Sequence, residues 1–215
     1  MDVAHELART GAPAGTLVLA DEQTAGRGRF GRSWRSDRGA GVWLTVIERP
    51  ASALDLDVLP VRVGIALAPA LDRFAGSRVA LKWPNDLYVG GGKLAGILTE
   101  ARWRGDALEW VAIGVGINVH APDEEPAACL APSTTRLDVL HAVVPAIRAA
   151  AARRGPLTDA EQAAFAARDR AAGRRCVEPL EGIVRGISPG GALLIEVGSG
   201  VVEVRAGSLV LKEER

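Results

Sequence analysis

Residues 21–41 (DEQTAGRGRFGRSWRSDRGAG) separate two short apolar runs, Thr16–Ala20 (TLVLA) and Val42–Ile47 (VWLTVI). This stretch has neither the 3.6-residue period of an amphipathic helix nor the alternation of a strand. A loop of this length inside a compact chain is either functional or disordered. Any fold for this chain must therefore hold a long, polar, glycine-rich loop between two strands, which disfavours an uninterrupted helical bundle.

The remaining pattern fills in an α+β architecture. Asp2–Thr10 reads as a helix with Val3, Leu7 and the alanines on one side, stopped by Gly11. Thr16–Ala20 reads as a short buried strand. Val58–Phe74 is helical, with Pro60 tolerable in its first turn and Pro69 expected to kink or break it. Val79–Lys82 is a strand. Leu87–Val89 and Lys93–Trp103 form a hairpin around three glycines, and Ala107–Val119 pairs next. Residues 121–135 form a proline-rich loop. Residues 136–153 and 158–172 are alanine-rich helices, the second opened by a Thr158–Glu161 capping box. From about Arg174 short β-type runs alternate with Gly and Pro turns, as in a small β-barrel or sandwich. The expected division is an α+β unit over residues 1–172, a mixed or antiparallel sheet with flanking helices, followed by a small all-β unit over 173–215.

Composition removes several classes of function. Lys+Arg and Asp+Glu both number 26, so bulk electrostatics do not make the chain a polyanion binder. The two cysteines, Cys129 and Cys176, have no metal-type spacing and imply no disulfide framework. No metal-ligating cluster is expected. The first residues, MDVAHELART, do not read as a signal peptide, and no charge-free run is long enough to span a bilayer. A cytoplasmic location and no membrane association are expected.

Gly26-Arg27-Gly28-Arg29-Phe30-Gly31 formally matches a dinucleotide-binding fingerprint, but that loop must open a helix, and RSWRSDRGAG has no helical period. Another reading is a cationic lid. The glycines let backbone approach a ligand, and Arg27, Arg29, Arg32, Arg35 and Arg38 supply guanidinium groups suited to phosphate and carboxylate. A solvated basic loop or a nucleic-acid patch fits the same composition.

A second segment runs from Lys82-Trp83-Pro84-Asn85-Asp86-Leu87-Tyr88 to Gly90-Gly91-Gly92-Lys93 and on to Glu100. It is no phosphate-binding P-loop, because Leu94 stands where Ser or Thr is needed. Strict alternation would put Lys93, Ala95, Ile97 and Thr99 on one face and Leu94, Gly96 and Leu98 on the other. Lys93 is then either an ordinary edge lysine or a cation pointing into a cleft. Gly96 leaves a gap where a flat ring could lie, and Asn85 and Asp86 either build a turn or serve a ligand. The third segment, Gly114-Val115-Gly116-Ile117-Asn118-Val119, leaves one strand face bare for a ligand or for close packing, with Asn118 at its end.

These three segments, in this order, resemble the catalytic domain of the biotin protein ligases. That family carries a GRGRxGRxW loop, here Gly26–Trp34, and a KWPNDxY segment leading to KLAGIL, here Lys82–Glu100. Its GxGxNV strand is here Gly114–Val119. The run Gly182–Leu194 (GIVRGISPGGALL) resembles the family's small C-terminal domain.

The resemblance implies a class II synthetase-like catalytic domain with a C-terminal SH3-like barrel. It implies a monofunctional biotin–[acetyl-CoA-carboxylase] ligase that uses ATP and Mg2+ to convert biotin to biotinyl-AMP. Transfer to a lysine of a biotin carboxyl carrier domain would follow. Gln23, Arg27, Gly28, Arg29, Lys93, Gly96 and Gly116 are then expected at biotin. Arg29, Arg32, Trp34, Asn85, Asp86, Lys93 and Asn118 are expected at the nucleotide. Lys93, Arg27 and Arg29 would carry the chemistry. The family also implies a strand and a Ser–Thr pair ahead of the first helix, a point already passed at Met1-Asp2-Val3. No helix-turn-helix segment is seen, so DNA binding is not expected, and a monomer or homodimer is. A lipoate-protein ligase and a non-catalytic biotin or carrier binder are the competing readings.

Overall fold

The computed structural model describes residues 1–49, 56–121 and 127–212. Two antiparallel sheets organise them. The first contains β1 (Leu17–Ala20), β2 (Gly41–Glu48), β3 (Ala80–Lys82), β4 (Asp86–Val89), β5 (Gly92–Arg104) and β6 (Ala107–Asn118), ordered β1-β2-β6-β5-β4-β3. The second contains β7 (Arg175–Glu178), β8 (Gly182–Ile187), β9 (Leu193–Val197), β10 (Gly200–Val204) and β11 (Val210–Leu211), ordered β10-β9-β8-β7-β11. The helices are α1 (Asp2–Arg9), α2 (Leu59–Ala75), α3 (Arg136–Ala151) and α4 (Asp159–Ala166). Part of the loop expected over 121–135 lies outside the described residues.

The central strands are apolar on both faces because both faces are covered. Val42, Leu44 and Val46 of β2 join Val111, Ile113, Val115 and Ile117 of β6 and Ile97 of β5 in a core shared with α2 and α3. On the opposite face Ile47 and Trp110 pack against Ala4 and Ala8 of α1. α1 therefore buries its alanines, whereas Val3 is 60% exposed and Leu7 39% exposed, so the one side expected from the sequence to hold all of them is split. Small residues let that helix lie close to the sheet, and bulky ones are turned outward. β1 is likewise an edge strand with Leu17 and Leu19 exposed rather than a buried one.

α2 runs through Pro69 without ending there, and its left-handed cap is Gly76. α4 stops at Ala166, short of the expected helix over 158–172. Residues 168–170 extend alongside β3 instead: the Leu81 amide donates to the Arg168 carbonyl at 2.8 Å and the Arg170 amide to the Leu81 carbonyl at 3.0 Å. The outer edge of β3 is thereby hydrogen-bonded, which outweighs the helical propensity of those residues. Capping boxes open both α3 (Thr135, Asp138) and α4 (Thr158, Glu161).

The second sheet is docked on the first. The buried Trp83 indole donates to the Gly191 carbonyl at 2.9 Å. Val184, Leu193, Ile195 and Leu209 belong to the same core as α2 and the first sheet. Cys129 and Cys176 are both free thiols. Among the described residues, no helix is long and apolar enough to cross a membrane, and no cluster of three His, Cys, Asp or Glu could hold a metal.

Candidate active site

The register of the first sheet places one row of residues across a single face. Ala20 pairs with Trp43, Trp43 with Gly116, Gly116 with Gly96, Gly96 with Asp86, and Asp86 with Lys82. Directly paired residues share a face, so the row passes from an indole, over two bare glycines, to a carboxylate and a lysine. A parallel row contains Leu98, Gly114 and Thr45. A cavity of about 210 Å³ lies over this face.

Lys93 joins that face through an irregularity. The β4–β5 pairing shifts between Leu87 and Tyr88, so that Tyr88 faces Lys93 while Leu87 faces Ala95. Leu94 and Ala95 consequently both enter the core, and strict alternation fails at this point. Lys93 is turned to the side of Gly96: its Cε and Nζ lie 3.5 and 3.6 Å from where a Gly96 Cβ would be. The ammonium is 2.7 Å from Asp86 Oδ1, an ion pair at the cavity floor.

The long loop returns over this floor. An isolated bridge pairs Arg27 with Ser33, and the tip carries Phe30 at φ 56°, a left-handed conformation unusual for a side chain of that size. Arg29 donates to the Gly207 carbonyl at 3.1 Å and, more distantly, to Asn85 Oδ1 at 3.4 Å. Burial pulls its pKa below the ordinary guanidinium value, Asp86 opposing and Arg32 adding to that shift. Arg27 pairs with Asp2 of α1 at 2.5 Å, and Gln23 accepts from Ser36 at 2.6 Å. Asn85 is fixed by donating to the Ile97 carbonyl at 2.7 Å.

Gln23, Arg27, Gly28, Arg29, Arg32, Trp34, Asn85, Asp86, Lys93, Gly96 and Gly116 all line the one cavity. Asn118 does not: its amide donates to the carbonyls of Lys93 at 3.3 Å and Ala128 at 3.1 Å. It braces the backbone beneath Lys93 instead of facing the cavity. The space over Gly96 and Gly116 is filled by the indole of Trp34. A Cβ on Gly116 would meet Nε1 at 2.6 Å, and one on Gly96 would meet Cζ3 at 3.3 Å. The flat ring lying there belongs to the loop itself, and the Lys93 ammonium stands 5.2 Å from its centroid. Trp34 Nε1 is buried against the Gly116 floor without an acceptor. Gly114 is covered by the Met1 side chain.

Lys82, Trp43, Thr45 and the Ser208–Val210 segment also line the cavity and were not singled out from the sequence. Lys82 was within reach. A turn between Lys82 and Asp86 places the two opposite one another, and that pairing was the available signal.

A cationic loop closes over a glycine-paved floor with a lysine–carboxylate pair beside it, an arrangement suited to an anionic ligand. The family model described as "Biotin/lipoate A/B protein ligase family" matches residues 3–118. The chain belongs to that family. It is 32% identical to the biotin–[acetyl-CoA-carboxylase] ligase of Mycobacterium tuberculosis (strain ATCC 25618 / H37Rv), over 91% of this chain and 79% of that protein. It is 46% identical to the bifunctional ligase/repressor BirA of Bacillus subtilis (strain 168), over 57% of this chain but only 38% of that protein's length. The biotin protein ligase from Aquifex aeolicus, solved in complex with biotin and ATP, superposes with a TM-score of 0.79 at 26% identity, covering 98% of this chain and 94% of that one. The fold is thus the α+β biotin ligase fold with a small C-terminal β-barrel of the SH3-like type.

Proposed function

We propose that this chain activates biotin with ATP to biotinyl-AMP and transfers the biotin to a lysine of a biotin carboxyl carrier domain. The observation that carries the reading is the position of Lys93. It is bulged onto the face of Gly96, paired with Asp86, and covered by the arginine loop. A cation there can offset charge on a carboxylate and on the phosphorus it attacks, in a site from which the loop excludes water. Most of the acceleration asked of the protein is positioning and charge stabilisation. Gly96 and Gly116 give the biotin rings an approach to the floor once the Trp34 indole turns aside, and its unpartnered Nε1 offers a donor to the ligand. Gln23, Arg27, Gly28 and Arg29 cover the activated acid. Arg32, Trp34, Asn85 and Asp86 border the nucleotide. In this reading residues 1–172 form the catalytic unit and 173–215 the small β domain that walls it.

Asp86 is the single carboxylate among the described residues lining the cavity, and Lys93 already opposes it. These residues suit a Mg2+ ion held mainly by phosphate oxygens and water, with Asp86 as the nearby protein group. When bound, Mg2+ supplies screening of polyphosphate charge.

The Mycobacterium relative, a biotin–[acetyl-CoA-carboxylase] ligase, supports a carboxylase as partner. Neither DNA binding nor an assembly larger than a homodimer is part of this proposal. The test is ATP–pyrophosphate exchange driven by biotin or by lipoate, followed by labelling of a carrier domain. Biotin-driven exchange with carrier labelling is expected. Exchange with lipoate alone would reassign the acid, and binding of biotin without exchange would leave a non-catalytic binder.

A further inference from the structure

α1 reaches the arginine loop through its first turn, where Asp2 holds Arg27 at 2.5 Å. That hydrogen bond lowers the pKa of the Asp2 carboxyl and raises that of the guanidinium. The helix itself is lightly held. It buries Ala4 and Ala8 against Ile47 and Trp110, and no side chain caps its amino end. Two alanine side chains offer little apolar area, so polar ties decide where the helix sits. At its far end Arg49 donates to the carbonyls of Ala8 at 2.9 Å and Ala12 at 3.0 Å. Nearer the loop the tie is His5, whose side chain is 11% exposed. The Trp110 indole donates to His5 Nδ1 at 3.0 Å, and His5 Nε2 lies 2.8 Å from Glu100 Oε2. An indole N–H can only donate, so Nδ1 accepts, and Nε2 carries the ring proton that is given to Glu100. One ring thereby joins α1 to both β6 and β5. Asp2 and His5 stand three residues apart, neighbours on the helix surface. Fixing His5 therefore fixes the carboxylate that holds Arg27. The charge of Glu100 also reaches Arg27, but its carboxylate is engaged by His5 and, at 3.5 Å, by Arg102. The direct contact with Arg27 is left to Asp2.

We propose that His5 and Asp2 are positioning residues for the reaction. The Trp110–His5–Glu100 tie seats α1 on the sheet, and Asp2 in the first turn of that helix holds Arg27 over the acid to be activated. This rests on the ligase reading, in which Arg27 covers that acid. Arg27 lines the cavity, whereas among the described residues neither Asp2 nor His5 does, so both act through the arginine. The Asp2–Arg27 pair is largely exposed, and an exposed pair supports a modest effect, one of orientation rather than of chemistry.

The test measures biotin-driven ATP–pyrophosphate exchange in the full chain and in Asp2→Asn, His5→Leu and His5→Gln, with KM determined separately for biotin and for ATP. Amide hydrogen–deuterium exchange over residues 24–33 is followed in the same proteins without ligand. Asp2→Asn and His5→Leu are each expected to raise the biotin KM roughly two- to fivefold, to leave the ATP KM in place and to speed amide exchange in the loop. His5→Gln, which keeps a donor for Glu100, is expected to restore most of both. In an Arg27→Gln background Asp2→Asn should add nothing, because it acts through that arginine. Equal rises in both KM values, or the full Asp2→Asn effect without Arg27, would mean a structural role alone and overturn the proposal. Should His5→Leu not fold, Asp2→Asn carries the test, since its side chain is 83% exposed. Biotin-driven turnover with an unaltered biotin KM and unaltered loop amides would overturn the positioning role while leaving the ligase reading in place. Faster loop amide exchange in the variants, with no biotin-driven turnover in any of the proteins, would keep the tie between α1 and the loop and sink the ligase reading.

Discussion

Lys93 and Asp86 hold each other at 2.7 Å, so removing the lysine has two effects. It withdraws the cation facing the reacting groups and leaves a carboxylate that repels phosphate. Lys93→Ala is expected to lower biotin-dependent exchange by about 10²–10³, and near-unaltered turnover would show that the cation is not at the chemistry. Arg29 works differently, since its bonds to the Gly207 carbonyl and Asn85 tie the loop down. Arg29→Gly is expected to release biotinyl-AMP into solution, detected as free intermediate and as labelling of unrelated lysines. Retention equal to the unaltered chain would contradict a latch. The residue types around the cavity were legible in the sequence because glycine pairs, clustered arginines and a lone strand lysine are conspicuous. Their directions were not. One bulge moved Lys93 from the face of Ala95 to that of Gly96, and two backbone carbonyls drew Asn118 away from the cavity.

At the level of elements, α2 and α4 are joined by a buried ion pair. Arg62 Nε and Glu161 Oε1 are 2.8 Å apart, with side chains only 3% and 6% exposed. Burial alone would raise the Glu161 pKa. Hydrogen bonds from Arg62, the Thr158 amide and Arg153 outweigh it and bring the carboxyl down to about 2. A carboxyl lowered on folding stabilises the native state fully above its ordinary value near 4.5, and that stabilisation is lost as pH falls from there toward 2. Denaturant midpoints measured across that window should fall steeply in the unaltered chain and less steeply in Glu161→Gln; parallel slopes would remove Glu161 as the cause. Arg62→Met leaves the buried carboxylate with only Arg153 and Thr158 as partners and is expected to cost about 3 kcal/mol. The elements themselves were largely readable because strand runs, capping boxes and glycine stops are local signals. The shortened α4 and the outward Val3 and Leu7 were not, because edge pairing with β3 and close packing of Ala4 and Ala8 are tertiary effects.

For the whole molecule, the change of sequence texture near Arg174 suggested a separable appendage, yet the second sheet has no core of its own among the described residues. Cys176, Val184, Leu193, Ile195 and Leu209 are buried in the cluster that also contains Leu67, Leu71, Leu81 and Trp83. Two polar ties cross the same junction, from Trp83 to the Gly191 carbonyl and from Arg29 to the Gly207 carbonyl, and Ser208–Val210 complete the wall of the cavity. A small all-β unit that shares its apolar contacts this way has too little buried area to stand alone. Unfolding should therefore be one cooperative transition, with tryptophan fluorescence and far-ultraviolet circular dichroism coinciding. Trp83→Phe keeps most of the apolar volume but leaves the Gly191 carbonyl without its donor. It is expected to cost about 1–3 kcal/mol and to move both signals together. Two separated transitions, in the unaltered chain or in Trp83→Phe, would mean that the second sheet folds independently. Its segment at 207–210 would then reach the site by docking rather than as part of a common core.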